Sequence, residues 1–135
     1  MKLKIKERGF TMVELLVVIA IIGILASIAL ISYNSVQNKA KDKAIISEMT
    51  QLRTQGQVFY DDNTNSYTGF CADAGTTKIS GSISAHGGAT FNCDDVDDGW
   101  AAEVTLPGGD IYCVDSSSVS KVIAVTKGLD TTVCE

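Results

Sequence analysis

Residues Phe10 to Ile31, "FTMVELLVVIAIIGILASIALI", form a 22-residue run that carries one charge, Glu14. At about 1.5 Å per residue an α-helix of this length would extend ~33 Å. A bilayer's hydrocarbon core is about 30 Å thick. Backbone groups taken out of water must bond one another, so such a run folds as a helix in lipid or inside a protein assembly. Glu14 is the anomaly. An unpaired carboxylate in hydrocarbon is costly, and an ionisable residue in an apolar span is a functional candidate by default.

The flanks orient the run. Lys2, Lys4, Lys6 and Arg8 precede it, with Glu7 the one acid among them. This places the N-terminus in the cytoplasm and the rest of the chain on the exported side. The whole chain has a net charge of −5, which disfavours nucleic-acid binding through a basic surface. Three readings of the run compete. A cleavable signal peptide has a basic start, but its apolar core is usually only about 7–15 residues long. A plain anchor leaves Glu14 unexplained. A helix that lies first in the membrane and then in an assembly gives Glu14 a partner on another copy.

Gly9-Phe10-Thr11-Met12-Val13-Glu14 resembles the processing and methylation motif of type IV pilins and type II secretion pseudopilins. The "LLVVIAIIGILASIAL" that follows is similar to the family's assembly helix. The resemblance implies that a prepilin peptidase cuts between Gly9 and Phe10. It implies that Phe10 becomes an N-methylated N-terminus and that Glu14 is the assembly glutamate. The new α-amino group, with a pKa of about 8, would be largely protonated at neutral pH. Phe10 and Glu14 stand one helical turn apart, so Glu14 could meet the amine of a neighbouring copy and set register. A pair with its own N-terminus is the alternative. Many family members carry a proline near the end of the apolar half, but Ile31 stands there in this chain, whose single proline is Pro107. Ala20, Gly23, Ala26, Ser27 and Ala29 would let helices approach closely.

Beyond Ser32 the chain turns polar but stays helix-compatible. Ile45, Met49, Leu52, Gly56 and Phe59 recur at spacings of 4, 3, 4 and 3, one apolar stripe at helical period. The spacing predicts one helix from about Phe10 to about Tyr60. Its stripe packs on a sheet rather than in a coiled coil, which needs more heptads. Gly56 either marks a close approach or simply weakens the helix. Asp61 to Phe70 reads as a loop. "GWAAEVTL" and "DIYCVD" flank Pro107-Gly108-Gly109 as a hairpin, Ser120 to Lys127 is a third strand, and Lys78 to Ile83 a weaker one. "SAHGGATFNCDDVDDG" reads as loop-rich.

The expected fold is therefore α+β: a long N-terminal helix on a small antiparallel sheet, as the pilin resemblance also implies. The expected divisions are a leader (1–9), a transmembrane and assembly half-helix (10–31), an amphipathic half (32–62) and a disulfide-containing head (63–135). The four cysteines, Cys71, Cys93, Cys113 and Cys134, follow an export-like segment, which points to two disulfides. Zinc is disfavoured, because there is no Cys-x-x-Cys pair and His86 is the single histidine. Three pairings exist. Cys71–Cys93 with Cys113–Cys134 is preferred because each closes a local loop. Family members often tie down their C-terminal region in this way.

Other site candidates are weak. Asp61, Asn63 and Asn65 begin like a calcium loop, but Ser66 and Ala72 occupy the places of its glycine and final glutamate. Asp94, Asp95, Asp97 and Asp98 cluster, with Val96 breaking the alternation. Calcium in the head is the one cofactor alternative to none, and a solvated acidic loop is the plainer reading. No catalytic or phosphate-cradling motif stands in the chain, so an assembly ATPase would be a separate protein. The reading is a non-enzymatic subunit of a homo-oligomeric type IV pilus-like filament. It waits in the inner membrane as a single-pass protein before export into an extracellular pilus by an assembly machinery. A type II secretion pseudopilin, a competence pilin that takes up DNA, and a secreted binding domain are the alternatives.

Overall fold

The computed structural model describes residues 9–124 and 132–134. It comprises two compact units, one ending at Val36 and one starting at Gln37. Helix α1, Met12–Asp62, contributes to both. In the first unit it is apolar on all sides, and its backbone bonds are internal, as a segment removed from water requires. No proline interrupts it.

The second unit is the head. The remainder of α1 is followed by a short 3₁₀ turn, Phe70–Ala72, helix α2, Ala74–Ala85, and four strands. These are β1, Ala89–Val96; β2, Gly99–Thr105; β3, Ile111–Asp115; and β4, Ser120–Ile123. They form an antiparallel sheet in the order β1-β2-β3-β4, each strand paired with its sequence neighbour. The expected α+β arrangement of long helix and antiparallel sheet is present. The residues expected to extend the last strand, 125–127, lie outside the described set.

The predicted stripe forms the core. Ile45, Met49 and Leu52 of α1 are fully buried against Phe70, Ile83, Trp100, Ala102, Val104 and Val114. On β2 the period of two sends Trp100, Ala102 and Val104 to this face. Ala101 goes to the other, where it packs with Cys113, Ile123 and Cys134. Gly56 is a point of close approach. A Cβ there would lie 2.7 Å from Trp100 Nε1, so glycine allows the indole to lie against the helix.

The hairpin expected around Pro107 is closed by Gly109 N donating to Leu106 O at 2.8 Å, with Gly109 at φ 99°. Asp42 of α1 secures it by accepting from Gly108 N at 3.0 Å. The structure joins Cys71 to Cys93 and Cys113 to Cys134. The first links the 3₁₀ turn to β1. The second brings residue 134 beneath β3.

Three sequence expectations are corrected. Lys78 to Ile83 is not a strand but part of α2. Ile79 and Ile83 suit either period, but Thr76, Ile79 and Ile83 together follow the helical one. The Asp73 carboxylate starts the helix by accepting from Gly75 N at 2.8 Å. Residues 89–96, read as loop from their Asn and Asp content, form β1. There Phe91 and Cys93 face the core at the strand period, and pairing with β2 overrides local propensity. The loop expected from Asp61 is also shorter, because α1 continues to Asp62.

Gly56→Ala should destabilise the head by about 1–3 kcal/mol through overpacking on Trp100. Helix propensity alone favours alanine by about 1 kcal/mol, so the sign separates the two causes. Urea unfolding followed by fluorescence of the single tryptophan reads it. Replacing Cys113 and Cys134 by serine should lower stability by about 2–5 kcal/mol, read the same way.

Candidate functional site

The site is the start of α1. Gly9, Phe10 and Thr11 precede the helix in a non-helical, exposed stretch, so the Gly9–Phe10 peptide bond is accessible. Residues 1–8, the rest of the expected leader, lie outside the described set. Thr11 is the N-cap, and its carbonyl accepts the first helical bond, from Leu15 N at 3.3 Å.

Glu14 and Thr11 form a reciprocal capping box. Glu14 Oε2 accepts from Thr11 N at 2.9 Å and from the Thr11 hydroxyl at 2.8 Å. Glu14 N donates back to Thr11 Oγ1 at 3.3 Å. Within the chain the carboxylate therefore answers two donors at the helix start. One oxygen takes both, and Oε1 has no donor among the described residues. Sequence reasoning had paired Glu14 with an amine, its own or a neighbour's, and missed Thr11. The signal was present: Thr-x-x-Glu ahead of an apolar run marks a capping box.

The apolar flank has no partner among the described residues. Phe10 is 77 % exposed and Met12 86 %, and the large apolar residues from Val13 to Leu30 are all exposed. The helix is long and apolar enough to cross a membrane, with a mean hydropathy of 3.0 in its best window. Ser27, the one hydroxyl beyond the first turn of this stretch up to Leu30, donates to Gly23 O at 2.9 Å. Its polarity is thus satisfied inside the helix.

The other sequence candidates are distributed through the head. Asp61 lies in the last turn of α1 and accepts from Gln57 Nε2 at 3.0 Å. The Asn63 side chain donates to Phe59 O at 2.9 Å. Asn65 has a positive φ, 63°. These three act in ending the helix. Asp95 serves the fold as well, accepting from Gly69 N at 2.7 Å and Cys71 N at 2.8 Å. Asp94 belongs to β1, while Asp97 and Asp98 make the turn into β2. Among the described residues no three His, Cys, Asp or Glu side chains gather to hold a metal.

His86 caps the C-terminus of α2, near Glu48 and Ser82. The Ser82 hydroxyl donates to Glu48 Oε1 at 2.6 Å rather than to the imidazole, which approaches the Ser82 carbonyl. The three residue types are adjacent, but the hydroxyl's partner is the carboxylate and not the imidazole, so they are not ordered as a Ser–His–carboxylate relay.

An apolar helix opened by a Thr–Glu capping box and followed by a disulfide-linked α+β head defines a class of membrane-competent proteins. The family model "Prokaryotic N-terminal methylation motif" matches residues 4–30. The type IV major pilin protein PilA of Myxococcus xanthus (strain DK1622) is 29% identical over 115 residues, 84% of this chain and 50% of that protein. The type IV major fimbrial protein FimA of Dichelobacter nodosus is 32% identical over 83 residues, 62% of this chain and 53% of that one. Fimbrial protein Q of Moraxella bovis is 44% identical over 48 residues, 36% of this chain and 31% of that one. The chain thus spans about half the length of the first two relatives or less of the third. No solved structure gives a significant match. The chain thus carries a prokaryotic N-terminal methylation motif and is similar, over the lengths given, to type IV major pilin and fimbrial proteins.

Thr11→Val removes the hydroxyl from the capping box, and Thr11→Ser keeps it. The valine variant should weaken the first turn of α1 by about 0.5–2 kcal/mol, with the serine variant near the parent. Amide hydrogen exchange at residues 11–15 in detergent micelles measures this.

Proposed function

We propose that the chain is the structural subunit of a type IV pilus-like surface filament and has no enzymatic activity. The observation that carries the reading is the exposed apolar surface of α1 between Met12 and Leu30. It is joined without a break to a motif whose one acidic residue already begins the helix. Such a surface can be buried in a bilayer, or against copies of itself. The similarity to a type IV major pilin and a type IV major fimbrial protein favours the second as the end state.

In this reading a prepilin peptidase removes residues 1–9 and Phe10 becomes the methylated N-terminus. The helix then holds the subunit in the inner membrane, with the N-terminus cytoplasmic and the head exported. A separate ATPase-driven machinery moves subunits from the membrane into an open, head-to-tail filament, the geometry that repeats without closing. Glu14 Oε1, which receives no donor among the described residues, is the atom offered to the Phe10 amine of a neighbour. Pairing removes the cost of two isolated charges and selects one axial register.

Mass spectrometry of the mature chain should find an N-terminus at Phe10 carrying one methyl group. A start near Leu30 would instead mean a cleaved signal peptide and end the filament reading. Glu14→Ala should leave membrane insertion intact and abolish or sharply reduce filaments seen by electron microscopy. Filaments in parental amounts would remove Glu14 from assembly.

A further inference from the structure

In the head, α1 and α2 leave a groove of about 430 Å³ between them. Small-molecule sites commonly span about 300–1,000 Å³. One wall presents Glu48, Gln51 and Gln55 from α1, and the other Lys78, Ile79 and Ser82 from α2.

The groove is shaped by specific contacts. Gln55 Nε2 donates to Asp73 Oδ2 at 3.1 Å, and among the described residues the amide oxygen has no donor. A Cβ at Gly75 would collide with that same nitrogen, so glycine is what lets the carboxamide stand there. Ser82 engages Glu48 Oε1, while Glu48 Oε2 is buried with no hydrogen-bond partner. A carboxylate oxygen accepts more than one donor, so Oε1 can take a second beside Ser82.

Charge and hydrogen-bonding capacity define the ligand class. Glu48 and Lys78 oppose each other, so the groove has little net charge with which to select an ion. What remains is a mixed set around one aliphatic side chain: acceptors on Glu48 and Gln55, donors on Lys78, and both on Gln51. Hydroxyl groups are themselves both donors and acceptors. A pyranose carries several at fixed spacing and has a C–H face to lay on Ile79.

We propose that the α1–α2 groove binds a neutral pyranose sugar, held by Glu48, Gln51 and Gln55 on one side and Lys78 on the other. The site lies wholly in the head and does not depend on the filament reading.

Saturation-transfer NMR on the full chain tests it, in micelles of a detergent without a sugar headgroup. The probes are methyl α-glucoside, methyl β-galactoside and N-acetylglucosamine. At least one should receive saturation, with a Kd of about 1 mM, the weak end of the usual range. Gln51 is exposed, so Gln51→Ala should keep the fold, checked by the amide spectrum, and weaken binding at least tenfold. Lys121→Ala, on β4, should leave binding unchanged. No transfer to any of the three at about 50 mM, unchanged binding in Gln51→Ala, or preferential transfer to the zwitterion glycine betaine would each overturn the proposal. Filament formation is not read, so failure of the assembly reading and failure of this one are separate results.

Discussion

The head depends on the seam where Trp100 meets α1 at Gly56. The indole is nearly fully buried and fills the space a helix side chain would otherwise take. Phe70 packs against it, with ring centroids 4.6 Å apart, and Phe59 against Phe70 at 5.6 Å. This aromatic group joins the helix, the 3₁₀ turn and the central strand. Large rings bury much area with few rotatable bonds, so a small domain gains most from them where backbones come closest. Gly56 makes that approach available, at the expense of some helix propensity.

A domain of this size has little margin, and its other features compensate. Asp95 satisfies two backbone donors at the 3₁₀ turn, and Asp115 accepts from both Val119 N and Cys134 N. The two disulfides hold the segments on either side of the sheet. Carboxylates that resemble a metal cluster in composition are thus partly used as backbone caps. A buried N–H without an acceptor is among the most destabilising defects a loop can have, and aspartate is the compact residue that repairs it.

Much of the architecture was legible. The apolar run, the stripe from Ile45 to Phe59 and the hairpin at Pro107 each leave a pattern that local geometry enforces. The strand β1 and helix α2 did not. In β1 the aspartates hide a strand whose only apolar signal is Phe91 and Cys93. In α2 a Ser- and Gly-rich segment has apolar residues at spacings compatible with both periods, and the Asp73 cap decides between them. At the site, the weight of the charge on Glu14 drew attention to distant amines. The nearer partner, Thr11, is neutral and reads as filler unless the three-residue spacing is heeded.

The sequence by itself determined that the apolar run after Phe10 is helical and suited to leaving water, because in an apolar medium a helix satisfies its backbone internally. It also determined the buried stripe of α1 and the pairing preference of the cysteines, since periodicity and loop length are local properties. Only the tertiary structure decided which strands cover the stripe and which aspartates are structural. Those outcomes depend on atoms brought within about 3 Å of one another by the fold, a distance that spacing along a chain does not encode.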